Sequence, residues 1–329
     1  VDTFKSFERE LYSVDAATFN EKAIRLFQFQ YQNNPIYAQY CQYIKKDIRT
    51  IKTIHEIPYL PVGFFKSCVV KTGSWEASKY FSSSGTTGSI ASRHFVRDEG
   101  FYLDNTVRNF EFFYGPLTGY HIIALLPSYL EREGSSLVAM ANHFIHLSKS
   151  PHSGFYLHEV EKMISKIEEL RAGDRKVLLL GVTFALLDLA EKLPVNLSHC
   201  IVMETGGMKG KRPEITRGEL HEILSRNLHL QTVHSEYGMT ELFSQAYSTG
   251  NGLFRCPPWM QVVLRDPEDP FEHRQGRDQG AINIIDLANI HSCAFIETQD
   301  LGRRDQRGYF EVLGRMDNSD IRGCNLLAG

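Results

Sequence analysis

The stretch Tyr80-Phe81-Ser82-Ser83-Ser84-Gly85-Thr86-Thr87-Gly88-Ser89 decides how the rest of this chain is read. It is short, hydroxyl-rich and punctuated by glycines, and it stands between a short β-prone run and a long apolar body. Glycine lets the backbone turn tightly, so that successive N–H groups converge on one anion. Serine and threonine hydroxyls add donors that rotate to suit phosphate oxygens. Two readings are open: a loop that cradles the phosphates of a nucleotide, or a flexible Ser/Gly linker. The Walker A pattern G-x-x-x-x-G-K-[ST] is absent from it. What surrounds the loop has to choose between them.

Upstream, helical patterns dominate. Residues 18–32 carry an apolar stripe at Phe19, Ala23, Leu26 and Phe27, as a helix requires. Asn33-Asn34-Pro35 breaks it, and a second helix is predicted over 36–44. Two prolines in Ile57-Pro58-Tyr59-Leu60-Pro61 exclude helix there. Downstream, strands and helices alternate. A helix over 101–113 precedes the apolar run 121–126, and a helix over 135–147 follows it. Val160, Met163, Ile164, Ile167 and Leu170 mark an amphipathic helix. Strands are predicted over 177–180, 200–203 and 231–234, with helices over 184–193 and after a capping-box pair, Thr216 and Glu219. Continuous apolar strands separated by amphipathic helices predict a parallel sheet covered on both faces. Beyond residue 242 the texture changes. Strand-like stretches at 260–265, 281–286, 293–297 and 309–313 predict a smaller β-rich subdomain, a partial barrel packed on the α/β body. The domain reading is a helical segment over 1–80, an α/β core over 81–242, a β-rich subdomain over 243–314 and a tail over 315–329.

At 329 residues the chain is long enough for one large α/β domain or about two domains. A formal net charge of −3, with no long basic run, argues against nucleic acid as a partner. The six cysteines form no C-x-x-C pair, which argues against a zinc ribbon or redox motif. Free thiols fit a reducing cytoplasm. No apolar stretch follows Val1-Asp2-Thr3-Phe4-Lys5, so no signal peptide is expected. The longest apolar run, 177–189, is interrupted by Gly181, Thr183 and Asp188, so no stable membrane insertion is expected.

Three further stretches carry chemistry. Glu204-Thr205-Gly206-Gly207 follows one predicted strand, and His234-Ser235-Glu236-Tyr237-Gly238-Met239-Thr240-Glu241 follows the next. Ligands of parallel sheets gather at the carboxyl ends of strands, so both stretches are placed to line one cleft. Asp300-Leu301-Gly302 and Gly314-Arg315-Met316-Asp317 come last. Singly, each is equally a strand-end turn, a packed aromatic, a hairpin turn or a surface cation. Together, and in this order, they resemble the adenylate-forming superfamily, which includes acyl-CoA synthetases and luciferase-like ligases. The resemblance covers roughly residues 57–323. It implies that the loop, through Ser83, Ser84, Gly85, Thr86, Thr87 and Gly88, holds the phosphates of ATP. It implies that Thr205, Gly206 and Gly207 meet the adenine, and that Glu236, Tyr237, Gly238 and Thr240 line the nucleotide site. Thr240 would donate to the α-phosphate and Glu241 would hold Mg²⁺, whose preference is for oxygen ligands. Asp300 would accept from the ribose hydroxyls, and Arg315 would reach the ribose or the phosphates. The products would be an acyl-adenylate and pyrophosphate.

Two departures narrow the resemblance. The superfamily loop often ends in lysine, whereas Ser89-Ile90-Ala91 stands here, with Arg93 and His94 beyond. The sequence also closes soon after Arg315, so the mobile C-terminal lid with its catalytic lysine is expected to be absent. The ending Ile321-Arg322-Gly323-Cys324-Asn325-Leu326-Leu327, with the stretches at 125–132 and 134–138, resembles the LuxE-type acyl-protein synthetases. Those enzymes keep a cysteine near the C-terminus that receives the acyl group. A thiolate suits that task, being nucleophilic near neutral pH and yielding a reactive thioester. The resemblance thus implies a fatty or other carboxylic acid as substrate, Cys324 as acceptor and a further acyl-accepting or reductase protein as partner. An acyl- or aryl-CoA ligase of the phenylacetate type, whose loop also lacks the lysine, is the alternative; a third is a non-catalytic acyl- or nucleotide-binding relative. The histidines show no metal-ligand spacing and Gly-x-Ser-x-Gly does not occur, so neither a histidine metal site nor a hydrolase elbow is expected. His234 alone is placed to touch a ligand in the cleft.

Overall fold

A computed structural model describes residues 3–77, 79–83, 90–127, 134–156, 159–192, 195–206, 215–269, 271 and 278–316. Four helices lead the chain: α1 (Thr3–Leu11), α2 (Phe19–Asn33), α3 (Pro35–Tyr43) and α4 (Phe64–Ser67). Asn34 separates α2 from α3 because its side chain caps the second helix, accepting from Tyr37 N–H at 3.1 Å, with Pro35 in the first turn. Pro lacks the donor that a first turn does not need. Short strands β1 (Leu60–Pro61), β2 (Lys79–Ser82) and β3 (Arg93–Val96) follow.

The α/β half then alternates as expected: α5 (Glu99–Tyr114), β4 (Tyr120–Leu125), α6 (Ser136–Ser148), β5 (Gly154–Phe155), α7 (Val160–Glu169), β6 (Lys176–Gly181), α8 (Thr183–Lys192), β7 (Cys200–Glu204), α9 (Arg217–Leu228) and β8 (His234–Tyr237). Asp98, Ser135 and Thr216 cap α5, α6 and α9, and Thr216 with Glu219 forms the full capping box. The remaining strands are β9 (Ala246–Ser248), β10 (Phe254–Arg255), β11 (Met260–Arg265), β12 (Gln279–Asp286), β13 (Phe295–Arg304) and β14 (Phe310–Arg315).

One expectation is corrected. The strand placed over 231–234 runs instead from His234 to Tyr237. His229 ends α9 in the left-handed conformation, with φ 57°, and Leu230 N–H returns to Ser225. The chain is still turning over 230–233 and begins pairing with β7 only at His234. Glu236 and Tyr237 are therefore strand residues, not part of a following loop.

Among the described residues a single sheet of twelve strands runs β11-β12-β13-β14-β10-β9-β8-β7-β6-β4-β5, with β1 added beside β13. β5, β4, β6, β7 and β8 are parallel, and from β8 onward to β11 every pairing is antiparallel. The β-rich part is thus continuous with the parallel part through β8 and β9. β2 and β3 form a separate hairpin. Two hydrophobic cores lie on this frame. One holds the parallel strands and α5 to α9, with Ile122, Leu179 and Val202 buried in it. The other joins α1 to α4 with the antiparallel strands, burying Phe27, Tyr37, Ile284 and Phe295 together.

Candidate active site

The carboxyl ends of β7 and β8 lie side by side, Glu204 opposite Ser235. Glu204 is almost fully buried and organises the turn after it. Its Oε2 accepts from Gly206 N–H at 2.7 Å, while Thr205 N–H donates to Gly181 O at 3.1 Å. Gly206 has φ +73°, a conformation that only glycine adopts without strain. From the other side Arg217 Nε donates to Glu204 Oε1 at 3.1 Å, and His221 lies 3.6 Å away. Burial pushes the Glu204 carboxyl up, but His221, the Arg217 charge and Ser235 together outweigh it and hold the group at about 2. Arg217 also donates to Val312 O at 3.1 Å and packs over the Phe254 ring. One guanidinium therefore ties the turn after β7 to β14. The Thr205 hydroxyl is buried beside this turn with no partner among the described residues.

The hydroxyl-rich stretch emerges as the connection of the β2–β3 hairpin, with Ser82 paired to Arg93. Its base is closed by reciprocal bonds: Ser83 N–H donates to Ser92 O at 3.1 Å, and Ser92 N–H donates to Ser83 Oγ at 2.9 Å. Two residues on, His94 Nδ1 donates to Thr240 O at 2.8 Å. Burial drives His94 down to about 4, so the ring is neutral at pH 7 and acts as a fixed donor. This bond holds the loop base against the stretch after β8. The next residue, Glu241, is buried and forms no ion pair among the described residues. Its carbonyl accepts from Asn289 Nδ2 at 2.7 Å. Burial pushes its carboxyl above the ordinary range, with the Ser92 hydroxyl and the charges of Lys66 and Arg315 opposing.

Across the cleft, Tyr237 Oη donates to Asp300 Oδ2 at 2.7 Å. Asp300 and Arg315 stand opposite each other in the β13–β14 register, with Arg315 Nε 3.9 Å from Asp300 Oδ1. Burial raises the Asp300 carboxyl, while the Tyr237 hydroxyl and the Arg315 and Arg217 charges lower it. Tyr237 thus fixes one oxygen of Asp300, and the other lies toward Arg315. Arg315 is 67% exposed and, among the described residues, is held by Gln299 and this long contact.

The structure therefore brings Ser83, Thr205, Gly206, Glu236, Tyr237, Gly238, Thr240, Glu241, Asp300 and Arg315 to one region, on strands or at strand ends. Ser84, Gly85, Thr86, Thr87, Gly88, Gly207 and Cys324 lie outside the described residues. His234 Nδ1 is engaged with Tyr114 Oη at 3.1 Å, so its ring is held within the fold by α5. Arg93 packs 5.7 Å from the Phe95 ring centroid. Sequence reasoning passed over Glu204, Arg217, His94 and Asn289 as working parts. Glu204 stands directly before the glycine turn, which is a readable signal; the others have none short of the fold.

Among solved structures, O-succinylbenzoate coenzyme A synthetase from Bacillus subtilis, in complex with ATP and magnesium ion, matches with a TM-score of 0.53. The match covers 75% of this chain and 52% of that one at 17% identity. It is an adenylate-forming enzyme. This chain shares the adenylate-forming fold. The same synthetase in complex with AMP matches at 0.51 over 73% of this chain and 50% of its own, at 17% identity. A long-chain-fatty-acid–CoA ligase from Archaeoglobus fulgidus matches at 0.50 over 72% and 51%, again at 17% identity. The chain spans about half the length of the solved structures it matches. No protein-family model and no curated protein matches it. No helix among the described residues is long and apolar enough to cross a membrane.

Proposed function

We propose that this chain activates a carboxylic acid with ATP and passes the acyl group to the thiol of Cys324. The observation that carries the reading is the pair of bonds His94–Thr240 and Tyr237–Asp300. They tie the loop base, the stretch after β8 and the carboxylate on β13 together, three of the four motifs of the resemblance, which supports the reading. The residues fit a nucleotide and its metal. An unpartnered buried Thr205 hydroxyl lies beside the glycine turn where the adenine would rest, and Glu241 offers a buried carboxylate without a cation. Ser83 to Gly88 would take the phosphates on amides and hydroxyls. Asp300 would accept from the ribose, with Tyr237 beside it and Arg315 reaching in from the rim. Gly207 would complete the adenine turn. Glu241 would hold Mg²⁺, whose charge neutralises phosphate oxygens.

In the first step a carboxylate oxygen of the acid attacks the α-phosphorus of ATP. The bond to the β-phosphate oxygen breaks, giving acyl-adenylate and pyrophosphate, with Thr240 donating to the α-phosphate. In the second step the Cys324 thiolate attacks the acyl carbonyl, and AMP leaves with the carbonyl–oxygen electron pair. The thioester so formed is the donor for a partner protein, an acyl acceptor or a reductase. A fatty acid is the substrate class that the family resemblance favours, and the cytoplasm the compartment that the thiol demands.

Pyrophosphate exchange into ATP, screened over acids of graded length, tests the first step. Exchange with at least one acid is expected, falling by about 100-fold or more in Glu241→Ala. No exchange with any acid would sink the adenylation reading. Acyl label on the protein should be released by hydroxylamine and lost in Cys324→Ser. Label that persists in that variant removes Cys324 from the mechanism, and thioester made on free coenzyme A points to a CoA ligase instead.

A further inference from the structure

Two buried atoms of one patch, Gln245 Oε1 and Tyr247 Oη, have no hydrogen-bond partner among the described residues, and the buried Glu236 carboxyl lies beside them. Glu236 lies on β8 with 7% of its surface exposed, and its carboxyl has no hydrogen bond or ion pair among the described residues. Tyr247 stands opposite it in the β8–β9 register, so the two side chains leave the same face of the sheet. Tyr247 is 2% exposed and its hydroxyl has no partner among the described residues. Gln245 is 4% exposed; its Nε2 reaches Phe243 O at 3.4 Å, and its Oε1 has no partner among the described residues. Gly238 draws them together. A Cβ there would meet Glu236 Oε1 and touch Gln245 Cγ at 3.4 Å, so the Glu236 carboxyl folds back over the Gly238 backbone beside Gln245.

A buried amide can be fully engaged within this fold. Gln30, fully buried, donates from Nε2 to Asn289 O and Ile290 O and accepts at Oε1 from Ala294 N–H. A buried polar group left unpaired is costly, and native proteins keep few of them. Two such atoms beside a buried carboxyl, next to the stretch that leads to Thr240, offer hydrogen bonds that no described residue takes up. The patch has an aromatic wall: Tyr102 lies near the Glu236 carboxyl and 4.7 Å from the Phe81 ring, just before the hydroxyl-rich loop. An unsubstituted alkyl tail would bury all three groups against methylenes. A hydroxyl or amino group would give Gln245 Oε1 and Glu236 a donor and meet the Tyr247 hydroxyl, which can donate or accept.

We infer that Glu236, Tyr247 and Gln245 form a specificity pocket, and that the acid activated here carries a hydrogen-bond donor, hydroxyl or amino, away from its carboxylate. The inference rests on the adenylation reading above and replaces a plain fatty acid by a donor-bearing one.

The test is pyrophosphate exchange with matched acids: ω-hydroxy- and ω-aminoalkanoic acids and hydroxy- and aminobenzoic acids, each against the acid with methyl in place of the donor. At least about 100-fold higher kcat/KM is expected for a donor-bearing acid, because a site built to hydrogen-bond a substrate rejects the analogue lacking the donor. Tyr247→Phe, which removes one unpaired hydroxyl and is expected to fold, should shrink that preference about tenfold or more, and Glu236→Leu should shrink it further. Methyl-bearing acids exchanged as well as their partners, or a preference unchanged in both variants, would overturn the pocket while leaving adenylation intact. Absence of exchange with every acid, with or without Mg·ATP binding by equilibrium dialysis, overturns both readings.

Discussion

The two cores of this molecule meet at the candidate site and are assembled on opposite plans. The parallel core is local: residues 110–247 supply it, each strand followed by a helix that covers it. The antiparallel core is remote. It joins residues 11–102 to residues 237–310, skipping the whole parallel half. Buried polar side chains make that junction. Gln30 and Asn34 at the end of α2 engage the backbone of Asn289, Ile290, Ser292 and Ala294, Thr72 donates to Ser292 O, and Val62 N–H donates to Glu297 O. The difference teaches why the site lies where it does. Glu204, Thr205 and Gly206 end a strand of the first core, and Asp300 and Arg315 belong to strands of the second. β9, with Ala246 in the second core and Tyr247 in the first, joins the two, and β8 pairs directly with it. Closing such distant segments is entropically harder than closing neighbours, so the second core is the half whose integrity sets the geometry of the cleft.

The largest expected effect separates the halves directly. Phe295→Ala removes the ring that packs against Phe27, Tyr37 and Tyr59. A loss of about 3–5 kcal/mol is expected from urea unfolding. Limited proteolysis should then cut first between α1 and α4, before the parallel core yields. Simultaneous cleavage of both halves would show that the cores do not separate.

The next effect sharpens the contrast between two glutamates on adjoining strands. Burial, reinforced by the Glu204 charge, raises Glu236 to about 8 from an ordinary 4.5. The folded state therefore keeps a proton that the unfolded chain has released. The stability this confers is complete below about 4.5 and is lost as pH rises through about 8. Glu204, held at about 2, behaves oppositely: its contribution is present above about 4.5 and is lost as pH falls toward about 2. Thermal unfolding across pH 5 to pH 8 should show a downward slope that flattens in Glu236→Gln and persists in Thr216→Ala. An unchanged slope in Glu236→Gln removes Glu236 from the titration.

The smallest effect concerns α9, which belongs to the local core yet sends Arg217 across to β14. Thr216→Ala removes the reciprocal cap and should cost about 1 kcal/mol. Because Arg217 follows directly, nucleotide affinity should fall more than overall stability does. Equal losses in both would mean that the cap serves the helix alone.

Much of the parallel half was legible in sequence. The apolar runs around Ile122, Leu179 and Val202 are continuous because both faces of those strands are buried, and Thr216 and Glu219 announce their helix by spacing. The hairpin strands β2 and β3, the short strands β9 and β10 and the true start of β8 were not. Their residues are few and their patterns mixed, and their extent is set by which strand lies alongside. In the site, Tyr237, Gly238, Thr240, Glu241, Asp300 and Arg315 were readable as residue types in order. That His94 would be the neutral donor to Thr240, or that Asn289 would hold Glu241, was not, since neither has a pattern outside the fold.

By itself the amino-acid order determined the alternation of strands and helices, the glycine turn after Glu204, the hydroxyl-rich loop and the succession of residues capable of meeting a nucleotide. These follow from periodicity and local backbone preference. Tertiary structure alone decided that the N-terminal helices close on strands more than two hundred residues away, that the antiparallel strands extend the parallel sheet, and that two neighbouring glutamates take opposite charge states. Those outcomes depend on which groups are desolvated together, and burial is a property of the assembled fold and not of any stretch within it.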